Sequence, residues 1–236
     1  MRRPLSVAVA QPRCVPHDAQ ANGSIHAQAV RDSRARVVVF PELSLTGYEL
    51  DAAPVDPEDL ALDPIVQACR QTGSVALVGA PVAGPQGRLL IAMLAVSAIG
   101  VRVLYCKRWL GEEESIRFWP GDGPTVFDVD GWRIGVGICK DTGVREHVEG
   151  LAELEIDAYC AGLVHRPEEL GQQEDRAVSI ALRCQAFVAF ASFAGPTGGG
   201  YTRTAGSSAI WSPTGGALAR AGTGAGEFAR ATLVLP

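Results

Sequence analysis

The sequence lacks the features that mark several classes of protein. Its 236 residues contain no uninterrupted apolar run near the roughly 18 residues that cross a membrane. No basic block with interleaved aromatic residues is present and the formal net charge is −5, so the composition does not favour binding to nucleic acid or to anionic lipid. The apolar stretch after Met1-Arg2-Arg3 ends at Gln11-Pro12, too early for a secretory leader. We therefore expect a cytoplasmic protein that acts on a small molecule.

Paired metal ligands and phosphate-binding loops are missing as well. The six cysteines are widely spaced, which argues against a disulfide framework, and the four histidines show no HExxH or similar spacing, so no structural metal is expected. Two glycine-rich stretches, 195–200 and 222–226, lack both the Lys-Ser/Thr ending of a phosphate loop and the setting of a dinucleotide fingerprint. We interpret both as flexible loops.

Strand and helix patterns follow one another along the chain. A hydrophobic content of 47% supports a sizeable core, and one domain over residues 1–236 is the first expectation. Periodicity and turn signals predict helices at 18–34, 57–71, 143–154 and 168–186, and strands at 5–10, 36–40, 75–82, 89–98, 101–106, 125–129, 132–138, 158–163, 188–194, 207–211 and 231–235. Parallel crossovers mixed with hairpins predict an α/β protein with a mixed, largely buried sheet.

Three reactive residue types stand at predicted strand ends, where α/β proteins bind their ligands. Taken singly, Glu42 could be a loop carboxylate, Lys107 part of a solvated charge run, and Cys139 a buried thiol. Together they meet the needs of acyl transfer from an amide: a base, a positive group for the developing oxyanion, and a nucleophile. The backbone N–H of Lys140 is a candidate second oxyanion donor.

The segments around these three residues resemble the motifs of a known family. They read Phe40-Pro41-Glu42-Leu43-Ser44-Leu45-Thr46-Gly47-Tyr48, Tyr105-Cys106-Lys107-Arg108-Trp109-Leu110 and Gly137-Ile138-Cys139-Lys140-Asp141. They are similar to the glutamate, lysine and cysteine motifs of the nitrilase superfamily, the carbon–nitrogen hydrolases. Residues 118–122 and 205–215 add two further matches in the same order.

This resemblance implies a fold and a mechanism. The fold is a four-layer α-β-β-α sandwich with mixed sheets, and a homodimer is the family expectation. Glu42 would act as general base, Lys107 would stabilise the tetrahedral intermediate, and Cys139 would form a thioester, without any cofactor. A second site glutamate is implied shortly after the lysine. Counting back from Phe118 selects Glu114, with Glu113 as the alternative, and a surface-charge role of this acidic triplet is the competing interpretation.

The chain departs from its family just after the cysteine. Lys140 stands where many relatives have an aromatic residue, and Gly143-Val144-Arg145-Glu146 stands where they have Arg-Phe-Pro-Glu, so that Glu146 keeps only the last position. We expect Tyr48, Lys140, Arg145 and Glu146 to contact the substrate. Lys140, Arg145 or Arg166 could bind a carboxylate on it.

The leading hypothesis is hydrolysis of a small linear amide through Cys139. Hydrolysis of a nitrile or of an N-carbamoyl compound uses the same residues and remains an alternative. A cysteine–histidine enzyme with His147 or His165 as base would leave the glutamate and lysine motifs without a role. A relative that has lost catalysis and binds a metabolite or a protein is the alternative from another class.

Overall fold

A computed structural model describes residues 2–235, and within that range the chain forms twelve strands and four α-helices. The helices are α1 (Ala19–Ser33), α2 (Asp63–Thr72), α3 (Arg145–Glu153) and α4 (Leu170–Cys184). The strands are β1 (Leu5–Ala10), β2 (Val37–Val39), β3 (Val75–Ala83), β4 (Leu89–Ser97), β5 (Gly100–Cys106), β6 (Thr125–Val129), β7 (Trp132–Ile138), β8 (Ala158–Leu163), β9 (Phe187–Ser192), β10 (Ala209–Trp211), β11 (Ala217–Arg220) and β12 (Phe228–Leu233).

The strands form two six-stranded sheets, in the orders β12-β1-β2-β3-β4-β5 and β11-β10-β9-β8-β7-β6. Each sheet has a parallel centre, β1-β2-β3 in the first and β7-β8-β9 in the second. Antiparallel strands flank both centres. Both sheets are therefore mixed, as the combination of crossovers and hairpins predicts.

Three hydrophobic cores divide the molecule into four layers. One core lies between the sheets and includes Val39, Ile138 and Phe193. A second fills the space between the first sheet and the helices α1 and α2, and a third that between the second sheet and the helices α3 and α4. The predicted α-β-β-α sandwich is confirmed.

Local chemistry fixes where the helices begin and end. The side chain of Asp18 caps α1 by accepting a hydrogen bond from the N–H of Ala21 at 2.8 Å. Gly73, with φ at 70°, ends α2 in the left-handed conformation that favours glycine. None of the helices within residues 2–235 combines the length and the apolar content that a membrane crossing needs.

The structure differs from the predicted elements in a few places. The helix predicted from residue 57 begins as a 3₁₀ turn at Leu60–Leu62, and α2 starts only at Asp63, beside Pro64. The helix predicted from Gly143 begins at Arg145, because Cys139–Gly143 forms a 3₁₀ turn. β11 was not predicted; it lies at the edge of its sheet and is mostly exposed, so its residues lack the apolar pattern of a buried strand.

Candidate functional site

The ends of strands from both sheets place the three predicted residues at one junction. Lys107 follows β5 directly, Glu42 lies three residues beyond β2, and Cys139 follows β7 directly. Gly162 of β8 lets the two sheets meet there, because a Cβ at this position would lie 2.5 Å from the carbonyl oxygen of Phe40 and 2.8 Å from the backbone nitrogen of Glu42. The glutamate loop of the first sheet is thus packed against the second.

Lys107 is held between two carboxylates. Its Nζ lies 2.6 Å from Oε1 of Glu42 and 2.7 Å from each carboxylate oxygen of Glu114. All three residues are buried, with relative exposures of 1%, 1% and 3% for Glu42, Lys107 and Glu114. Within the acidic triplet, Glu114 is the residue that reaches the lysine, whereas Glu113 is exposed. We name Glu42, Lys107 and Glu114 the buried charge cluster.

The two carboxylates have different surroundings. Glu114 also accepts hydrogen bonds from the N–H of Gly111 at 2.6 Å and from the hydroxyl of Tyr48 at 2.9 Å. Glu42 is bonded only through Oε1, and its buried Oε2 has no partner among the described residues. Burial raises the pKa of Glu42 well above its ordinary value despite the opposing charge of Lys107. Burial acts in the same direction on Glu114, but Lys107 and the other donors lower its pKa below the ordinary value.

These opposite shifts distinguish a carboxylate that can accept a proton from one that stays ionised. Burial alone would lower the pKa of Lys107, but the negative charges of Glu42, Cys139 and Glu114 raise it above its ordinary value. The lysine therefore keeps its proton and Glu114 stays ionised beside it. Glu42 has an unpartnered oxygen and a raised pKa, so it is the carboxylate of the two that can accept a proton.

Cys139 occupies a strained turn. Its φ of 42° lies in the left-handed region, which is unusual for a residue with a side chain and is typical of functional sites. The thiol donates to the carbonyl oxygen of Val164 across 3.5 Å. Burial raises the pKa of the Cys139 thiol, and the positive charge of Lys107 opposes that shift. The resting thiol is therefore protonated and needs a base before it can act as a nucleophile.

Asp141 ties the cysteine turn to the lysine segment. Its carboxylate accepts hydrogen bonds from the Tyr105 hydroxyl at 2.8 Å, the Ile138 N–H at 2.9 Å and the Trp109 N–H at 3.1 Å. Burial raises the pKa of Asp141 to about 6. Asp141 is part of the cysteine motif, yet the sequence pattern alone does not reveal that it connects β5, β7 and the loop after Lys107.

The residues predicted to contact the substrate lie in different places. Tyr48 is buried against Glu114. Lys140 is exposed, and its Nζ donates to the carbonyl oxygen of Leu110 at 2.7 Å. Arg145 pairs with Glu149 at 2.8 Å, and Glu146 is exposed in the first turn of α3. Of these four residues, the structure brings only Tyr48 into hydrogen-bond contact with the buried charge cluster.

The two histidines of the alternative mechanism have other partners. Nε2 of His147 lies 3.1 Å from the Tyr159 hydroxyl, and Nδ1 of His165 lies 3.1 Å from Oε1 of Gln173. Burial lowers the pKa of His147 to about 4, which makes it a weak base. No hydrogen bond between either ring and the Cys139 thiol occurs within residues 2–235.

Two residues near the cluster were not predicted. Tyr201, which directly follows the glycine-rich stretch 195–200, packs edge-on against Tyr48 with ring centroids 5.5 Å apart. Arg176 of α4 lies behind the cysteine turn: a Cβ at Gly143 would stand 2.7 Å from its Nε. Neither residue belongs to the motifs quoted above, and both approach the site only in the folded structure.

A possible ligand set for a cation lies on the surface. His17, Glu49 and Asp51 place one ligand atom each within 4.8 Å of one another. His17 and Asp51 already form an exposed hydrogen-bonded pair with Nε2 and Oδ1 2.7 Å apart. The exposed hydrogen-bonded pair accounts for this arrangement, and no metal is assigned to it.

The four-layer fold and the polar residues at its sheet junction define a protein of the nitrilase class. A family model for carbon-nitrogen hydrolases matches residues 6–235, and the chain belongs to that family. A Pseudomonas protegens protein described as a hydrolase in the pqqF 5′ region is 28% identical over 92% of this chain and 79% of its own length. An (R)-stereoselective amidase of a Pseudomonas species is 32% identical over 50% of this chain and 44% of its own length.

Solved structures share the fold at low sequence identity. Nit3 of Saccharomyces cerevisiae, a nitrilase superfamily member, superposes with a TM-score of 0.86 at 22% identity, covering 98% of this chain and 90% of its own. A cysteine-to-alanine mutant of the amidase from Nesterenkonia sp. AN1, in complex with butyramide, superposes with a TM-score of 0.86 at 24% identity, covering 97% and 90%. These likenesses establish the architecture alone.

Proposed function

We propose that this carbon-nitrogen hydrolase cleaves a small linear amide, with Cys139 as nucleophile and Glu42 as general base. The observation that carries the proposal is the unpartnered, buried Oε2 of Glu42 in a cluster that already holds one protonated lysine and one ionised carboxylate. An oxygen that can accept a proton, within electrostatic reach of a thiol that must lose one, is the arrangement that cysteine-dependent acyl transfer needs. The (R)-stereoselective amidase among the relatives supports the amide as substrate.

In the first half of the reaction, Oε2 of Glu42 takes the proton of the Cys139 thiol. The sulfur attacks the amide carbon, and the π electrons of the carbonyl move to its oxygen. Lys107 and the backbone N–H of Lys140 are the donors we assign to that oxyanion. As the oxyanion collapses, the C–N bond breaks and the nitrogen takes the proton from Glu42, which releases ammonia and leaves a thioester on Cys139.

In the second half, water replaces the amine. Glu42 accepts a proton from the water molecule as the water oxygen attacks the thioester carbon. Collapse of the second oxyanion then breaks the C–S bond. The sulfur takes the proton back from Glu42, and the carboxylic acid leaves. Amide and water are thus converted to acid and ammonia with the enzyme unchanged.

Ammonia release from a panel of amides, N-carbamoyl amino acids and nitriles tests the proposal. We expect wild-type turnover of at least one linear amide, and a fall of at least about a thousandfold in Cys139→Ala because the nucleophile is gone. Cys184→Ala is the matched control, since Cys184 is a half-buried thiol on α4 that should leave the rate unchanged.

Undiminished turnover in Cys139→Ala would exclude this mechanism. Turnover confined to carbamoyl compounds or nitriles would leave Cys139 as the proposed nucleophile but would replace the amide as the proposed substrate class. If no compound is turned over and iodoacetamide labels Cys139 no faster than the other cysteines, the inactive-relative alternative is correct.

A further inference from the structure

The loop that carries Glu42 is a tight turn with a strained backbone. The N–H of Ser44 donates to the carbonyl oxygen of Pro41 at 3.2 Å, so Glu42 and Leu43 are the two central residues of the turn. Leu43 has a φ of 50°, in the left-handed region that is costly for a residue with a side chain. Contacts from outside the turn must therefore keep it in this conformation.

Both sheets confine the backbone of this turn. A Cβ on Gly79 of β3 would lie 2.4 Å from the backbone nitrogen of Leu43 and 2.5 Å from the carbonyl oxygen of Pro41. Gly162 of β8 approaches the same turn from the second sheet. The N–H of Leu45 donates to the Gly79 carbonyl oxygen at 3.0 Å, which fixes the chain just after the turn. The backbone position of the turn is therefore set by the sheets.

Two side chains of α1 hold the turn through hydrogen bonds. Asn22 and His26 are four residues apart, so they share one face of the helix, and both are fully buried. Nδ2 of Asn22 donates to the carbonyl oxygen of Leu45 at 2.9 Å. Nε2 of His26 lies 2.8 Å from Oγ of Ser44. The helix thus holds the last residue of the turn and the residue after it.

The hydrogen bonds of the His26 ring determine which nitrogen carries its proton. Nδ1 lies 2.6 Å from the backbone carbonyl oxygen of Asn22, which can only accept, so the proton is on Nδ1. Nε2 of the neutral ring is then an acceptor, and the Ser44 hydroxyl donates to it. Burial lowers the pKa of His26 to about 4, and the Phe40 ring packs against the imidazole with centroids 4.3 Å apart. The acceptor for Ser44 is therefore present at neutral pH.

We infer that the hydrogen bond between His26 and Ser44 positions Glu42 for proton transfer. Ser44 closes the turn in which Glu42 lies, so fixing the Ser44 hydroxyl limits where the Glu42 carboxylate can point. His26 is a positioning residue, because its ring nitrogens bond to Asn22 and Ser44 and it makes no hydrogen bond to the buried charge cluster within residues 2–235. The inference rests on the proposed function, since it takes Glu42 as the base for the Cys139 thiol.

Variants of either partner test this role by ammonia release. In Ser44→Ala, kcat should fall by about tenfold and KM should stay near wild type, because a misplaced base slows proton transfer while neither buried partner contacts the substrate. His26→Leu removes the acceptor with a side chain of similar size and should lower kcat by a similar factor. His26→Gln keeps an acceptor and should restore part of the rate. Since both substitutions remove the same bond, Ser44→Ala combined with His26→Leu should be no slower than His26→Leu alone.

A pH profile separates positioning from a loss of stability. If the turn loosens and water reaches Glu42, its pKa moves back towards the ordinary value, so the fall of kcat/KM at low pH should shift to lower pH in Ser44→Ala. Alkylation of Cys139 by iodoacetamide needs no substrate and should also be slower in that variant at neutral pH. Ser33→Ala is the matched control, because Ser33 is a buried serine of α1 whose hydroxyl donates to the Val30 carbonyl oxygen at 3.2 Å. It should change neither the profile nor the alkylation rate.

Two results would contradict the positioning role. One is a Ser44→Ala enzyme with wild-type kcat, alkylation rate and pH profile. The other is a double variant in which the two losses multiply, because the two side chains would then act independently. Each of these results removes the positioning role alone, whereas undiminished turnover in Cys139→Ala would contradict the proposed function.

Discussion

The buried charge cluster and the cavity between α3 and α4 differ in volume and in chemistry. The cavity has a volume of about 700 Å³ and is lined by Arg145, Arg176 and Arg183 among others. Two of these arginines share one partner, Glu149, at the surface. The cluster, by contrast, packs one lysine between two carboxylates with almost no exposure.

The comparison shows that the large cavity is not where the strongest electrostatic interactions lie. Exposed ion pairs such as Arg145–Glu149 contribute little energy because water and salt screen them. In the cluster, low solvent access makes each charge act strongly on its neighbours, and the pKa values of Glu42 and Glu114 are driven apart. We therefore expect substitutions in the cluster to change the rate greatly, and those around the cavity to change it little.

Among substitutions that keep the Cys139 thiol, the largest effect is expected at Glu42. Glu42→Gln removes the base while keeping an oxygen near Lys107, so kcat should fall by about 10²- to 10⁴-fold. The wild-type kcat/KM should also fall as the pH drops through the raised pKa of Glu42, at a pH above the ordinary glutamate range, because only the ionised form accepts the thiol proton. Steady-state ammonia release against pH measures both.

Glu113→Gln is the control for that substitution, since Glu113 is an exposed neighbour of the cluster. This variant should leave unchanged both the rate and the fall of kcat/KM at low pH. If the wild-type fall occurred at an ordinary glutamate pKa, burial would not control the pKa of Glu42 and the comparison would fail.

An intermediate effect is expected at Asp141, which supports the cluster from outside. In Asp141→Asn the amide nitrogen cannot accept one of the present hydrogen bonds, so the free energy of unfolding at pH 7 should fall by about 1–3 kcal/mol. Since the folded pKa of Asp141 is raised to about 6, its contribution to stability is greatest at low pH and is lost as the pH rises through 6.

The deficit of Asp141→Asn relative to wild type should therefore widen as the pH falls from 7 towards 4. Urea unfolding at several pH values measures it. A variant as stable as wild type across that range would show that Asp141 does not hold the strand ends together.

The smallest effect is expected where the cavity approaches the cluster. Arg176 lies against Gly143 at the end of the cysteine turn, and its positive charge lowers the pKa of the Cys139 thiol, in opposition to burial. Arg176→Met should move the pH profile of Cys139 alkylation by iodoacetamide upward by less than about one pH unit. Arg183→Met, which changes the same cavity at an arginine already paired with Glu149, should leave the profile in place.

The pattern of the sequence accounts for the four layers but not for the whole site. Alternating buried strands and helices, with turn residues between them, predict the sandwich because each element follows from local periodicity. The motifs identify Glu42, Lys107 and Cys139. They favour Glu114 but do not exclude Glu113, because which of two adjacent carboxylates faces the lysine depends on the turn at Glu114–Ile116.

Other features depend on contacts between distant parts of the chain. Tyr201 contacts Tyr48, which is 153 residues earlier in the chain. Arg176 of α4 approaches Gly143 at the end of the cysteine turn. Lys140 and Arg145 lie in the segment that was expected to contact the substrate. In the structure Lys140 donates to the Leu110 carbonyl oxygen and Arg145 pairs with Glu149, and neither bonds to the cluster. Such pairings are set by packing between elements, which no local pattern encodes.

The most direct test of the nucleophile is the mass of the enzyme during turnover. Rapid acid quenching of wild type with its best amide, followed by peptide mapping, should show the acyl group on the peptide that contains Cys139, and on no other cysteine. Glu42→Gln should show slower acylation on the same residue. Ammonia release without an acyl adduct on Cys139, under conditions in which the thioester survives, would contradict the account.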